Sequence, residues 1–159
     1  MPPPLQAAAS FADLARGFCS WCEASEFNGS ERSVASWLAR LYAAALELPD
    51  VDPENSDCLP ELPGAAAAAA AANLACFNGC YYRMIFDPDP VADDEAVIGD
   101  LGDDLLDVYK DLKAGLVLED RGMRTDALWH WAFQHRIHWG RHAAAALFAL
   151  HGLTISKLD

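Results

Sequence analysis

Three histidines, His135, His138 and His142, recur at three- and four-residue steps near the C-terminal end, with Trp131 one step before them. At 100° per residue the four side chains fall within about 60° on a helical wheel. They run beside an apolar face of Leu128, Ala132, Trp139, Ala146 and Leu150. The i, i+4 spacing of His138 and His142 lets one helix offer two imidazoles to a transition metal. Upstream stands a second polar row of Asp100, Asp104, Asp107 and Asp111. If the two helices are antiparallel neighbours, Asp104, Asp107 and Asp111 face the histidines, and His138, His142 and Asp107 form the natural ligand set. Trp131 and Trp139 would then wall the same pocket.

A structural reading competes with this one and outweighs it. Carboxylates near a helix N-terminus are favoured by the macrodipole, and acidic and basic flanks of amphipathic helices pair at the surface without any ligand. Carboxylate-bridged metals in helical bundles draw glutamates from several helices, and the helix interiors of this chain hold few. No cofactor is therefore expected, with a divalent metal at His138, His142 and Asp107 as the alternative.

Other chemistry is poorly supported. Cys19-x-x-Cys22 and Cys76-x3-Cys80 lie within or at the ends of helices, not in the tight turns of zinc ribbons, so the five cysteines, Cys58 included, read as reduced thiols. A thioredoxin-like motif would need a preceding strand. Gly-rich phosphate loops, a Gly-x-Ser-x-Gly elbow and a catalytic cysteine signature are all missing. Gly140, between Trp139 and Arg141, sits where alanine would be favoured by about 1 kcal/mol, so something must approach its backbone, and a crossing helix such as the alanine-rich one is the expected visitor. Of five tryptophans, Trp129 and Trp131 point about 200° apart, so one layer cannot bury both.

Composition bounds the function classes. The 159 residues carry a formal net charge of −13, from 24 acidic residues against 11 Lys and Arg, which repels phosphate backbones and anionic lipid. Neither nucleic acid nor a membrane is an expected partner. No apolar run reaches the roughly 18 residues of a membrane span, and the start carries no basic residues before an apolar stretch, so the expected location is cytoplasmic. The hydrophobic fraction of 53% fits one globular domain over residues 1–159.

The elements that must position these residues are helical. After a flexible start over residues 1–9, Ser10 caps a helix with Phe11, Leu14, Phe18, Trp21 and Cys22 on one face, ending near Asn28-Gly29. Ser30 caps a second, with Val34, Trp37, Leu38, Leu41, Tyr42 and Ala45 as its stripe. Residues 49–63, with four prolines and five acidic residues, read as an exposed loop. Eight alanines, Ala65 to Ala72, start a third helix, and Tyr81 to Phe86 form a short aromatic turn. A fourth helix begins within Asp93 to Asp104 and buries Leu101, Leu105, Val108, Tyr109, Leu112 and Leu116. It ends at Gly122. Thr125 or Asp126 caps one last long helix to about His151-Gly152. The fold class is all-α: an antiparallel bundle of about five helices with a short extra helical turn.

The second half of the chain is also similar to something known. The acidic run Asp100-Leu101-Gly102-Asp103-Asp104-Leu105-Leu106-Asp107-Val108-Tyr109-Lys110-Asp111-Leu112-Lys113, then Asp126-Ala127-Leu128-Trp129, His138-Trp139-Gly140-Arg141-His142 and Ala146-Leu147-Phe148-Ala149-Leu150-His151, with Phe86-Asp87-Pro88 ahead of them, resembles a bacterial family known as domain of unknown function 5063. The resemblance implies a small helical bacterial protein and brings no substrate, cofactor or catalytic residue. The expected function is a protein-interaction or regulatory module without catalytic activity, whose partner is another protein or a second copy. The alternative is a metal-dependent or small-molecule-binding protein using the His/Asp cluster of the last two helices.

Overall fold

A computed structural model describes residues 4–55 and 59–156. In chain order these form α1 (Pro4–Cys22), α2 (Glu31–Ala45), α3 (Gly64–Leu74), a single 3-10 turn (Ala75–Phe77), strands β1 (Tyr81–Met84) and β2 (Val97–Asp100), α4 (Leu101–Asp120), α5 (Arg124–Ile137) and α6 (Trp139–Ser156). The chain is thus a mostly helical bundle, as its periodicity requires, with one small addition. Tyr81 to Phe86 do not make an isolated aromatic turn. Residues 81–84 pair antiparallel with 97–100, Tyr82 opposite Gly99 and Met84 opposite Val97, so the side chains of Tyr82 and Met84 share the inward side of a hairpin.

The centre of the bundle is α4. Leu101, Leu105, Val108, Tyr109, Leu112 and Leu116 lie on one stripe and are all buried, packed with Phe11 and Phe18 of α1, Leu38 and Leu41 of α2, and Trp139, Ala143 and Ala146 of α6. Its start is sharp because Asp100 caps it, accepting from the Gly102 N–H at 3.0 Å and, across the turn before β1, from the Gly79 N–H at 3.0 Å. Helix four therefore begins at Leu101, within the acidic stretch Asp93 to Asp104 as the sequence suggests. Ser30 does cap α2, its hydroxyl accepting from the Ser33 N–H at 3.1 Å.

Two termini differ from expectation. Helix α1 starts at Pro4, well before Ser10, because proline at the first helical position needs no N–H partner and the alanines that follow favour helix. Residues 1–3 of the proposed flexible start lie outside the described residues, as do residues 56–58 of the 49–63 loop, Cys58 among them. Near that loop Asp126 does not cap α5. Its carboxylate accepts from the Asn55 side-chain amide and from the N–H groups of Asn55 and Glu54, all within 2.9 Å, which holds its carboxyl below the usual range and ties the loop to α5.

The last helix is two helices. It stops at Ile137 and restarts at Trp139, with His138 at the joint in a non-helical conformation. The wheel that aligned Trp131, His135, His138 and His142 loses its phase there. Gly140 explains why the joint can be tight: a Cβ at this position would lie 2.7 Å from the His135 ring and closer still to the His135 carbonyl. The visitor at Gly140 is thus the last turn of the preceding helix, at His135, not the alanine-rich α3. The tryptophans mainly fill space. Trp131 and Trp139 are fully buried against Phe11, while Trp21 and Trp37 cluster with Phe18. Trp129, on the other side of α5 from Trp131, stacks on Phe133 at 4.8 Å. Cys19 and Cys22 are buried in the core face of α1, and burial pushes the Cys19 thiol up to about 12 and Cys22 higher still.

Helix α5 lies antiparallel to α4, held by two hydrogen bonds to carbonyls of the α4 backbone. The Trp131 indole donates to Leu112 O at 3.1 Å and His130 Nε2–H donates to Asp111 O at 3.1 Å. Trp131 packs its indole edge carrying Nε1 against Gly115, where a Cβ would intrude on the ring. Gly115→Ala is expected to destabilise the fold by about 1–3 kcal/mol, despite the roughly 1 kcal/mol that alanine gains in a helix. A rise in the urea midpoint of this variant would contradict that packing. Burial lowers the His130 pKa below its ordinary value of 6.5, so the stability that depends on neutral His130 is complete above that value and is lost as the pH falls towards the folded pKa. The stability gap between wild type and His130→Gln is therefore expected to narrow from pH 7.5 to pH 5.5; a gap that is constant or widens would refute this assignment.

Candidate functional site

The three aspartates and two of the three histidines meet. Helix α6 runs antiparallel to α4, so Asp104 lies beside His142 and Asp111 beside His138, with Asp107 between them. The spacing 104, 107, 111 keeps the carboxylates on one stripe, and residues 138 and 142 present two rings to it whose centroids are 4.8 Å apart. Asp104, Asp107, Asp111 and His142 lie on helices anchored by the core, Asp104 one position before Leu105 and His142 one before Ala143, and His138 stands at the joint just before α6.

Each ring is held from behind. The Nδ1 of His138 is 2.6 Å from an Asp111 carboxylate oxygen, and the Nδ1 of His142 is 2.7 Å from one of Asp104. An ionised carboxylate can only accept, so Nδ1 carries the proton in both rings and, in the neutral imidazole, Nε2 carries the lone pair. Both Nε2 atoms turn toward the same oxygen, Asp107 Oδ2, at 3.9 Å from His138 and 3.7 Å from His142. The other Asp107 oxygen is paired with Lys110 at 3.0 Å. These three ligand atoms lie within 4.8 Å of one another, and among the described residues no other group of three His, Cys, Asp or Glu side chains comes together in this way.

Asp104 is the most enclosed member, with a side chain 6% exposed. Its second oxygen accepts from the Tyr82 hydroxyl, which reaches it from β1. Desolvation, with the Asp104 hydrogen bond, pushes the Tyr82 phenol well above its ordinary value, so it remains a donor. For His142 the Asp104 hydrogen bond is the largest influence and raises the pKa, supported by the charges of Asp104, Asp107 and Asp103.

Not every residue marked in the sequence belongs here. Trp131 and Trp139 are core side chains: Trp131 bonds to the α4 backbone, and the Trp139 indole donates to Trp131 O at 3.1 Å. His135 is turned away by the break at His138 and packs edge-on to Tyr42 of α2 at 4.7 Å, where burial lowers its pKa and its Nε2 has no hydrogen-bond partner among the described residues. Tyr82 is the member that sequence reasoning missed, and the alternation of Tyr82 and Met84 on a strand is the signal that would have found it. His130, which braces the Asp111 backbone, also escaped notice. Beside the cluster opens a cavity of about 720 Å³, for which Tyr82 and Met84 supply one wall and Arg141, Ala144, Ala145 and Phe148 of α6 another.

Comparison with known proteins fits this architecture. The solved crystal structure of protein BF1032 from Bacteroides fragilis is similar over 91% of this chain and 93% of that one, with a TM-score of 0.69 and 20% sequence identity, a likeness of fold. Among curated proteins nothing matches the chain. No helix among the described residues is long and apolar enough to cross a membrane. The family model described as Domain of unknown function (DUF5063) matches residues 4–156, nearly the whole length, and the chain belongs to that family.

Proposed function

We propose that this protein binds one divalent transition-metal ion through Asp107, His138 and His142, and that the ion serves a small-molecule substrate. The observation that carries this reading is the orientation of the two imidazoles: both Nδ1 atoms are fixed by carboxylates while both Nε2 atoms turn toward Asp107. A carboxylate behind each ligating histidine is the usual support of a metal site, since it fixes the tautomer and raises ligand basicity. Two nitrogens and one carboxylate oxygen suit zinc or another borderline ion and leave coordination positions for water and substrate. Metal bonds of 2.0–2.2 Å in a tetrahedral site leave ligand atoms roughly 3.3 Å apart, so the two separations to Asp107, 3.7 and 3.9 Å, need to close by about half an ångström, and all three ligand atoms lie within 4.8 Å of one another. When bound, such an ion polarises a substrate oxygen or lowers the pKa of its water. Asp104, Asp111 and Tyr82 act as positioning residues behind the ligands.

A role in protein interaction has one observation in its favour. Tyr81 and Ile98 are diagonal neighbours on the outer side of the hairpin, and both are largely exposed. Under this reading, the double variant Tyr81→Ser/Ile98→Ser loses a partner that wild type retains reproducibly, while metal binding is unchanged.

Zinc titration of tag-free, metal-stripped protein by calorimetry, with elemental analysis after dialysis, tests the metal reading. One equivalent is expected to be retained, with His138→Ala or His142→Ala removing it. Asp104→Asn and Asp111→Asn are expected to keep the ligands and weaken affinity by about 10–100-fold. Binding that is absent, non-stoichiometric or indifferent to both histidines would overturn the assignment.

A further inference from the structure

The cavity beside the cluster has a chemical character of its own. Ten residues line it; the charged ones among them are two arginines, Arg83 and Arg141, and no acidic residue is included. In a chain whose net charge is −13, this is a local inversion of sign. Neither arginine has a carboxylate within ion-pair distance among the described residues. Arg141 is nevertheless held in place: its guanidinium lies 4.9 Å from the centre of the Phe86 ring and donates one N–H to Ile137 O at 3.3 Å, which leaves the rest of its fork free. The remaining lining is apolar, with Met84 and Ile85 from the hairpin side, and Ala144, Ala145 and Phe148 from α6. Ala144 and Ala145, the middle pair of the four-alanine run 143–146 of α6, form this wall, and their small side chains are what leaves the space open. A volume of about 720 Å³ is in the range of small-ligand sites.

We propose that the cavity takes a small amphiphilic monoanion, a medium-chain carboxylic acid in its simplest form. Its apolar chain lies against Met84, Ile85, Ala145 and Phe148, and its carboxylate is met by Arg141 and Arg83. A guanidinium fork matches a carboxylate in geometry as well as charge. The cavity shares Tyr82 with the cluster, whose hydroxyl holds Asp104 while its ring lines the cavity. Describing this ligand as the substrate of the metal site rests on the reading above, whereas its binding does not.

Calorimetry of the full chain with sodium decanoate, 1-decanol and decyltrimethylammonium, with and without zinc, tests this. Decanoate is expected to bind 1:1, with decanol at least about ten-fold weaker and the cation weaker still. Arg83→Gln/Arg141→Gln is expected to erase the preference for decanoate, and Ala145→Phe to block decanoate by filling the cavity. Phe148→Ser changes a side chain that is 74% exposed and so leaves the fold intact, and it is expected to weaken decanoate severalfold. The proposal is overturned if decanoate fails to bind, if the three probes bind alike, or if decanoate binding is unaltered in both Ala145→Phe and Phe148→Ser. His138→Ala/His142→Ala separates the two readings. Decanoate binding that survives in this variant, or in a protein that takes up no zinc, upholds the cavity alone, and zinc binding without decanoate binding upholds the metal alone.

Discussion

A carboxylate taken out of water must be met by donors, and in this protein that demand falls hardest on Asp104. Leaving such a charge alone costs several kcal/mol, and its partners come from two different parts of the fold: Tyr82 from the hairpin and His142 from α6. Meeting both requires α6 to run antiparallel to α4 at one register, with the hairpin laid across the start of α4. The break at His138 resets the helical phase, so that His138 and His142 face the aspartate row while Trp131 and His135 do not. That break is tight because Gly140 leaves room for the His135 carbonyl and ring. One satisfied carboxylate, a joint between helices and a glycine are parts of a single arrangement.

Histidine in this arrangement has a meaning that arginine or lysine would not. Either cation would neutralise the aspartate row as well as an imidazole, but neither offers an acceptor. A neutral imidazole satisfies the carboxylate through Nδ1 and still presents a lone pair on the other side of the ring. The row of aspartates behind and between the rings therefore does two things at once, fixing the tautomers and supplying the single oxygen, Asp107 Oδ2, toward which both lone pairs turn.

Periodicity made much of this legible. The stripe from Leu101 to Leu116 is buried as its spacing demands, and the carboxylates at 104, 107 and 111 share a side because that spacing keeps them there. The His138 and His142 pair with Asp107 follows from the same arithmetic once the helices are antiparallel. What periodicity cannot report is where its own phase is reset. No proline marks position 138, so Trp131 and His135 read as members of a stripe from which the joint removes them. The hairpin was hidden for another reason: its strands have four residues each and are separated by an acidic, proline-containing stretch, so the partner that turns an aromatic run into a strand lies too far along the chain for local pattern to reveal. Tyr82 was lost with it.

Cys19 and Cys22 lie in the sealed face of α1, and burial holds both as thiols and not thiolates. An alkylating reagent needs both access and ionisation, and the folded protein denies it both. Their labelling therefore proceeds only through molecules in which α1 has lifted from the bundle, whereas exposed Cys76 needs no such opening to meet the reagent. The chain carries its own clock for the opening of its first helix.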